Sequence, residues 1–123
     1  MTQEQATAFA RDWVDSWNAH DLERIMAHYA EELDFSSPLI QQLGADASGV
    51  LRTKTALRAY FATGLARYPD LQFELRQVLP GVQSVVLYYR SINDWPAAEY
   101  MELDAQARVR RVRAHYAAPA AGG

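Results

Sequence analysis

The feature that most constrains this chain is a change of hydrophobic period near its middle. Up to Tyr68 the apolar residues recur at spacings of three and four, and from Leu71 onward they alternate. A helical half followed by a half built from strands predicts an α+β fold, with helices packed on a mainly antiparallel sheet. At 123 residues the chain has room for one such domain and none for a second core.

The first helix is expected from Thr2, which with Gln5 forms a capping box, and its buried stripe is Ala6, Phe9, Ala10, Trp13, Val14 and Trp17. Asn18 to His20 interrupts the stripe, and Asp21 caps a second helix with Leu22, Ile25, Met26 and Tyr29 on one face. A short strand follows, with Leu33, Phe35 and Ser37 on one side, ending at Pro38. Residues 39–52 show little periodicity, and Gly44, Asp46, Ser48 and Gly49 predict a flexible loop or a weak hairpin that could serve as a lid. Thr53 or Thr55 caps a third helix carrying Leu57, Tyr60, Phe61, Leu65 and Tyr68.

Strands are expected over Leu71–Leu79, within Val82–Asn93, over Ala97–Leu103 and over Arg108–Tyr116, with Pro80-Gly81 as a turn. These four form an antiparallel meander. The domain occupies 1–117, and 118–123 is expected to be a disordered tail.

Composition removes several classes of function. Twelve Lys and Arg against fifteen Asp and Glu leave a net charge of −3, which argues against nucleic acid and against an anionic membrane surface, and leaves a neutral or mildly cationic small partner. There is no cysteine, hence no disulfide and no thiolate. The start of the chain lacks a secretion signal and no apolar run is long enough to cross a membrane, so a soluble cytoplasmic protein is expected. His20, His28 and His115 lack metal-binding spacing, so no metal is expected, and with no glycine-rich phosphate loop no cofactor is either.

If residues 93–96 form a four-residue hairpin, Arg90 faces Glu99 and Tyr88 faces Met101. A second four-residue turn at 104–107 sets Val112 opposite Glu99. One face then holds Val86, Tyr88, Arg90, Glu99, Met101, Val112 and Tyr116. The other carries Val85, Leu87, Tyr89, Tyr100 and Glu102, with Arg111, Arg113 and His115 at its end. Both faces are apolar near the middle, and three helices cover only one, so a second copy of the chain is the expected cover for the outer face.

Trp17-Asn18-Ala19-His20-Asp21, Tyr29-Ala30 and Phe35-Ser36-Ser37-Pro38 resemble the first hairpin and strand of the nuclear transport factor 2 superfamily, and more closely its SnoaL-like branch. Ala56-Leu57-Arg58-Ala59-Tyr60-Phe61 with Tyr68-Pro69-Asp70-Leu71 resembles that family's third helix and following turn, and Arg108 to Arg113 with Tyr116 its closing strand. The resemblance covers nearly all of the chain except 39–52. It implies a cone-shaped α+β roll whose helices close over a bent sheet around an apolar pocket, with pairing through the sheet's outer face.

The fold hosts isomerases, polyketide cyclases, hydrolases, dehydratases and proteins without chemistry, so individual positions matter. By this resemblance the basic Asp of the ketosteroid isomerases falls on Ser37 and their oxyanion-donating Tyr on Trp13, so a ketosteroid isomerase is not expected. The family's glycines fall on Thr53 and Ala107. The carboxylate that serves in the isomerases as a neutral acid, and in the SnoaL-like cyclases as the acid/base, matches Glu99.

Glu99 is therefore the candidate catalytic residue, with two readings open. In a dry pocket its carboxyl acts as acid or base near neutrality. Paired with Arg90 it is a structural clasp. Trp13, Phe35, Ser37, Tyr60, Phe61, Tyr88, Arg90, Met101, Val112 and Tyr116 are expected to line the pocket, Trp17 to be core, and a small apolar or aromatic molecule to be the ligand.

Overall fold

A computed structural model describes residues 1–117; the expected tail at 118–123 lies outside the described residues. Helix α1 spans Gln3–Asn18 and starts on the Thr2–Gln5 capping box, both halves of which form. Asp21 accepts from the Arg24 amide to start α2, Leu22–Met26, and Thr53 accepts from the Ala56 amide to start the long helix α4, Lys54–Arg67. In each case a side-chain oxygen satisfies an amide that the helix itself cannot.

The strands are β1 Tyr29–Ser36, β2 Val50–Thr53, β3 Glu74–Gly81, β4 Ser84–Arg90, β5 Pro96–Leu103 and β6 Val109–Tyr116. They form one sheet in the order β2-β1-β6-β5-β4-β3, antiparallel except where β1 runs parallel to β6. The meander β3-β4-β5-β6 follows the sequence expectation, and register shifts in β1, β3 and at the end of β5 interrupt the ladders, the irregularities that bend a sheet. Buried residues of α1, α2 and α4 form one hydrophobic cluster with the inner face of the sheet.

The structure corrects the sequence reading at five places. Within 39–52 there is ordered structure: a five-residue helix α3, Pro38–Gln42, and the strand β2 paired with β1. Ser37 caps α3 and Pro38 sits in its first turn, where a missing amide proton costs nothing. Tyr29 ends the apolar stripe of α2 in sequence but opens β1 in space. The tip between β3 and β4 is Val82-Gln83 rather than Pro80-Gly81, with Gln83 in the left-handed region at φ 46 and Gly81 paired to Ser84.

The fourth correction matters most for the site. The β4–β5 connection contains five residues, 91–95, with a short 3₁₀ turn over Ile92–Asp94 in which Asn93 and Asp94 both have positive φ. Leu87, not Arg90, lies opposite Glu99, and Arg90 lies opposite Pro96. An odd shift in register turns every β4 side chain to the other face. Val85, Leu87 and Tyr89 therefore point inward and are buried, whereas Tyr88 is exposed on the outer face, Arg90 two residues on shares that face, and neither lines the hollow. The β5–β6 register also differs from expectation, with Ala114 rather than Val112 opposite Glu99, but by two residues, which preserves the face.

Candidate functional site

Between α1, α3, α4 and the inner face of the sheet is a cavity in which ten aromatic side chains, Trp13, Trp17, Tyr29, Phe35, Tyr60, Phe61, Tyr68, Phe73, Tyr89 and Tyr116, make up most of the wall. Leu39 and Leu43 of α3 close one side, and Ser91 and Ile92 of the β4–β5 connection another. The rings pack edge to face or tilted, with centroids 4.8 Å apart for Trp17–Phe61 and 5.3 Å for Trp13–Tyr89. The volume open to the centres of water-sized molecules is about 50 Å³, room for about three to five waters.

The hollow has a local cause in the sequence. Tyr89, Ala97 and Tyr116 form one row across β4, β5 and β6, and Leu87, Glu99 and Ala114 form the next row, two residues along each strand. The alanines leave space on the inner face. Large rings from α1, α4 and β1 wall that space without filling it.

Among the described residues Glu99 is the one acid lining the cavity, and no Arg, Lys or His lines it. It is 3% exposed. The Tyr89 hydroxyl donates to Oε1 at 2.8 Å, and Oε2 has no hydrogen-bond partner among the described residues. Burial, opposed by the hydrogen bond from Tyr89, pushes the carboxyl up to about 7. Burial, and after it the charge of Glu99, holds the phenols of Tyr29, Tyr60, Tyr89 and Tyr116 above the ordinary phenol range. Hydrogen bonding by Ser37 favours the ionised forms of Tyr60 and Tyr116 and so opposes that rise.

The remaining expected site residues fall into three groups. Trp13, Phe35, Tyr60, Phe61 and Tyr116 line the cavity, and Ser37 lies beside it, its hydroxyl accepting from the Leu39 amide at 3.2 Å. Met101 and Val112 share the inner face but face each other further down the sheet, in the packed core. Tyr88 and Arg90 lie on the outer face, where Arg90 approaches Glu74 at 3.9 Å and Asp94 at 3.6 Å, so the clasp with Glu99 does not form. Tyr89 and Tyr29 were missed, the first through the register slip and the second through its place at the end of a helical stripe. Trp17, expected as core, is both buried and part of the wall.

Two of the positions that carry chemistry in related isomerases are engaged in structure here. Ser37 caps α3, and the Trp13 indole N–H donates to the Tyr29 hydroxyl at 3.0 Å. The histidines are anchored separately: His20 Nε2 meets the Leu71 carbonyl at 2.9 Å, and His28 Nε2 lies 2.9 Å from Asp12. Among the described residues there is no group of three or more His, Cys, Asp or Glu side chains arranged to hold a metal ion.

This architecture, helices over a bent antiparallel sheet around an aromatic hollow, is that of the nuclear transport factor 2-like cone. A family model of the SnoaL-like domain matches residues 10–118, and the chain belongs to that family. It is similar to a SnoaL-like protein of unknown function from Burkholderia thailandensis, 43% identical over 95% of this chain and 98% of that one, with a TM-score of 0.90. It shares its fold with the epoxide hydrolase/cyclase-like enzyme SalBIII of pyran ring formation in the polyether salinomycin, 18% identical over 95% of each chain, TM-score 0.74. It also shares its fold with an NTF2-like protein of unknown function from Cytophaga hutchinsonii, 9% identical over 88% of this chain and 86% of that one, TM-score 0.69. No protein of curated function matches the chain. No helix among the described residues is long and apolar enough to cross a membrane.

Proposed function

We propose that the cone binds a small, mostly apolar molecule and that Glu99 performs an acid/base step on it, of the isomerase, cyclase or hydrolase type. The observation that carries this reading is the state of the Glu99 carboxyl: sealed among aromatic rings, steered by Tyr89 through one oxygen, and left free at the other. A carboxyl titrating near neutrality exchanges a proton in either direction at low cost, the property required of a general acid or base. The reaction class of SalBIII is compatible with such a group.

The test is incubation with small aromatic and alicyclic carbonyl compounds, lactones and epoxides, read by mass spectrometry. At least one compound is expected to be converted, with Glu99→Gln slower by about a hundredfold. Equal turnover in the variant removes Glu99 from the chemistry.

A second reading, a ligand-binding module without chemistry, is favoured by the structural engagement of Ser37 and Trp13, which leaves Glu99 as the one free polar group among the three family positions. Both readings include a homodimer through the outer face of the sheet, where Leu79 and Tyr88 are exposed. Sedimentation of a monomer at micromolar concentration rejects that dimer.

A further inference from the structure

The charge arrangement of the cone bears on what kind of molecule enters it. Two partly buried acids have cations beside them, Asp34 lying 3.0 Å from Arg113 and Glu102 pairing with Arg110, and a third, Asp104, accepts from the backbone amides of Gln106 and Arg108. Glu99 is more deeply buried than any of these, yet it has no basic partner. Its neighbours are phenols, Tyr29 from β1, Tyr60 from α4, Tyr89 from β4 and Tyr116 from β6, all of them neutral at physiological pH. Arg90, which the sequence places nearest in register, is on the opposite face.

An ionised carboxylate in an apolar cavity is costly unless a cation joins it. A cavity walled by aromatic rings suits a cation, because the face of a ring carries partial negative charge.

We propose that the ligand of the cone is a small organic cation, an amine or methylated ammonium whose charged nitrogen pairs with the Glu99 carboxylate and whose carbon substituents lie against the aromatic wall. The inference rests on the cone being a ligand site and adds the charge of what it takes. The dimensions agree with it: the open volume suits an ammonium head with short substituents. Any longer tail leaves past Leu43, Gly64, Tyr68 and Tyr116, the wall residues that are partly exposed.

Binding then depends on pH. The cation takes up the ionised form of Glu99, so affinity rises as the carboxyl deprotonates through about 7 and levels off above it. At pH 6 binding displaces a proton from Glu99 into the buffer. The four surrounding phenols stay protonated across this range and contribute no slope.

Isothermal titration calorimetry with benzylammonium chloride and with benzyl alcohol, a neutral molecule of nearly the same shape, tests the proposal. At pH 8 the cation is expected to bind at least about tenfold tighter than the alcohol to the wild type, and within about twofold of it in Glu99→Gln. At pH 6, heats in two buffers of different ionisation enthalpy should reveal proton release with the cation and none with the alcohol. If the alcohol binds as well as the cation, the proposal is overturned while an apolar ligand site stands. If neither binds at about ten millimolar, both are overturned. Should Glu99→Gln not fold, the wild-type series decides: a cation affinity that does not increase between pH 5.5 and pH 8 overturns the proposal.

Discussion

Asp34 and Glu99 show the two ways this sheet treats a carboxylate. Asp34, on the rim of β1, receives both terminal nitrogens of Arg113 at 3.1 and 3.0 Å, and those hydrogen bonds hold it below the ordinary Asp value. Glu99, two strands away on the inner face, has one neutral donor and no cation, and burial holds it far above the ordinary Glu value. One acid is spent on structure, its charge neutralised and partly in water. The other keeps a latent charge inside a dry aromatic hollow, which is how a protein keeps a group available for a ligand or a proton.

The largest break of this contrast comes from the wall of the hollow. Trp13 is 2% exposed and packs on Trp17, Phe73 and Tyr89. Trp13→Ala should cost about 3–5 kcal/mol in urea unfolding. A cost below about 1 kcal/mol would mean that the aromatic cage is not part of the core.

Next is the pH dependence of stability. Glu99 holds its proton more tightly folded than unfolded, so its contribution is fully present below about 4.5 and is lost as pH rises through about 7. The difference, at about 1.4 kcal/mol per unit, is on the order of 3 kcal/mol. Unfolding of wild type and Glu99→Gln at pH 4.5 and pH 8 should diverge by that amount, with the variant the flatter. Parallel curves would show that the carboxyl is not desolvated.

Tyr89→Phe separates steering from burial. Removing the donor to Oε1 should raise Glu99 further, visible in a carbon-13 carboxyl titration, with a stability loss of about 1 kcal/mol. A fall in the Glu99 value would contradict the bond seen here.

The smallest effect belongs to the rim. Arg113→Ala should cost about 1 kcal/mol or less, because both partners of the pair are partly in water, and less still in high salt. The Asp34 contribution is present above its unfolded value and is lost as pH falls below it, the opposite sign to Glu99. A salt-independent loss of several kcal/mol would place Asp34 among buried groups and end the contrast.

Much of the fold was legible before any coordinates. Helix starts at Thr2 and Asp21 were readable, and the third was narrowed to Thr53 or Thr55, because a cap is a local bond between residues three apart, and the meander was readable because alternation is a property of each strand alone. α3 and β2 escaped because helices and strands of four or five residues carry too few positions for a period to show; Ser37 before Pro38 was the one signal available.

The inward direction of Glu99 was also written in the chain. It depends on the alternation of Ala97, Glu99, Met101 and Leu103 within β5, all buried, and needs no neighbour to define it. Its surroundings depended on two turns. At 91–95 one more residue than expected, with Asn93 and Asp94 in left-handed conformations that non-glycine residues adopt seldom, sent Arg90 and Tyr88 outward and brought Tyr89 in.

By itself, then, the sequence determined the three capped helices, the meander and the face on which its one inward acid stands, all matters of local period and capping, while its motifs carried the resemblance to the family. Only the tertiary structure decided that this acid has no counterion, because which strand residues meet across a sheet is set by connection geometry, and a single residue in a turn exchanges a salt bridge for a tyrosine hydroxyl.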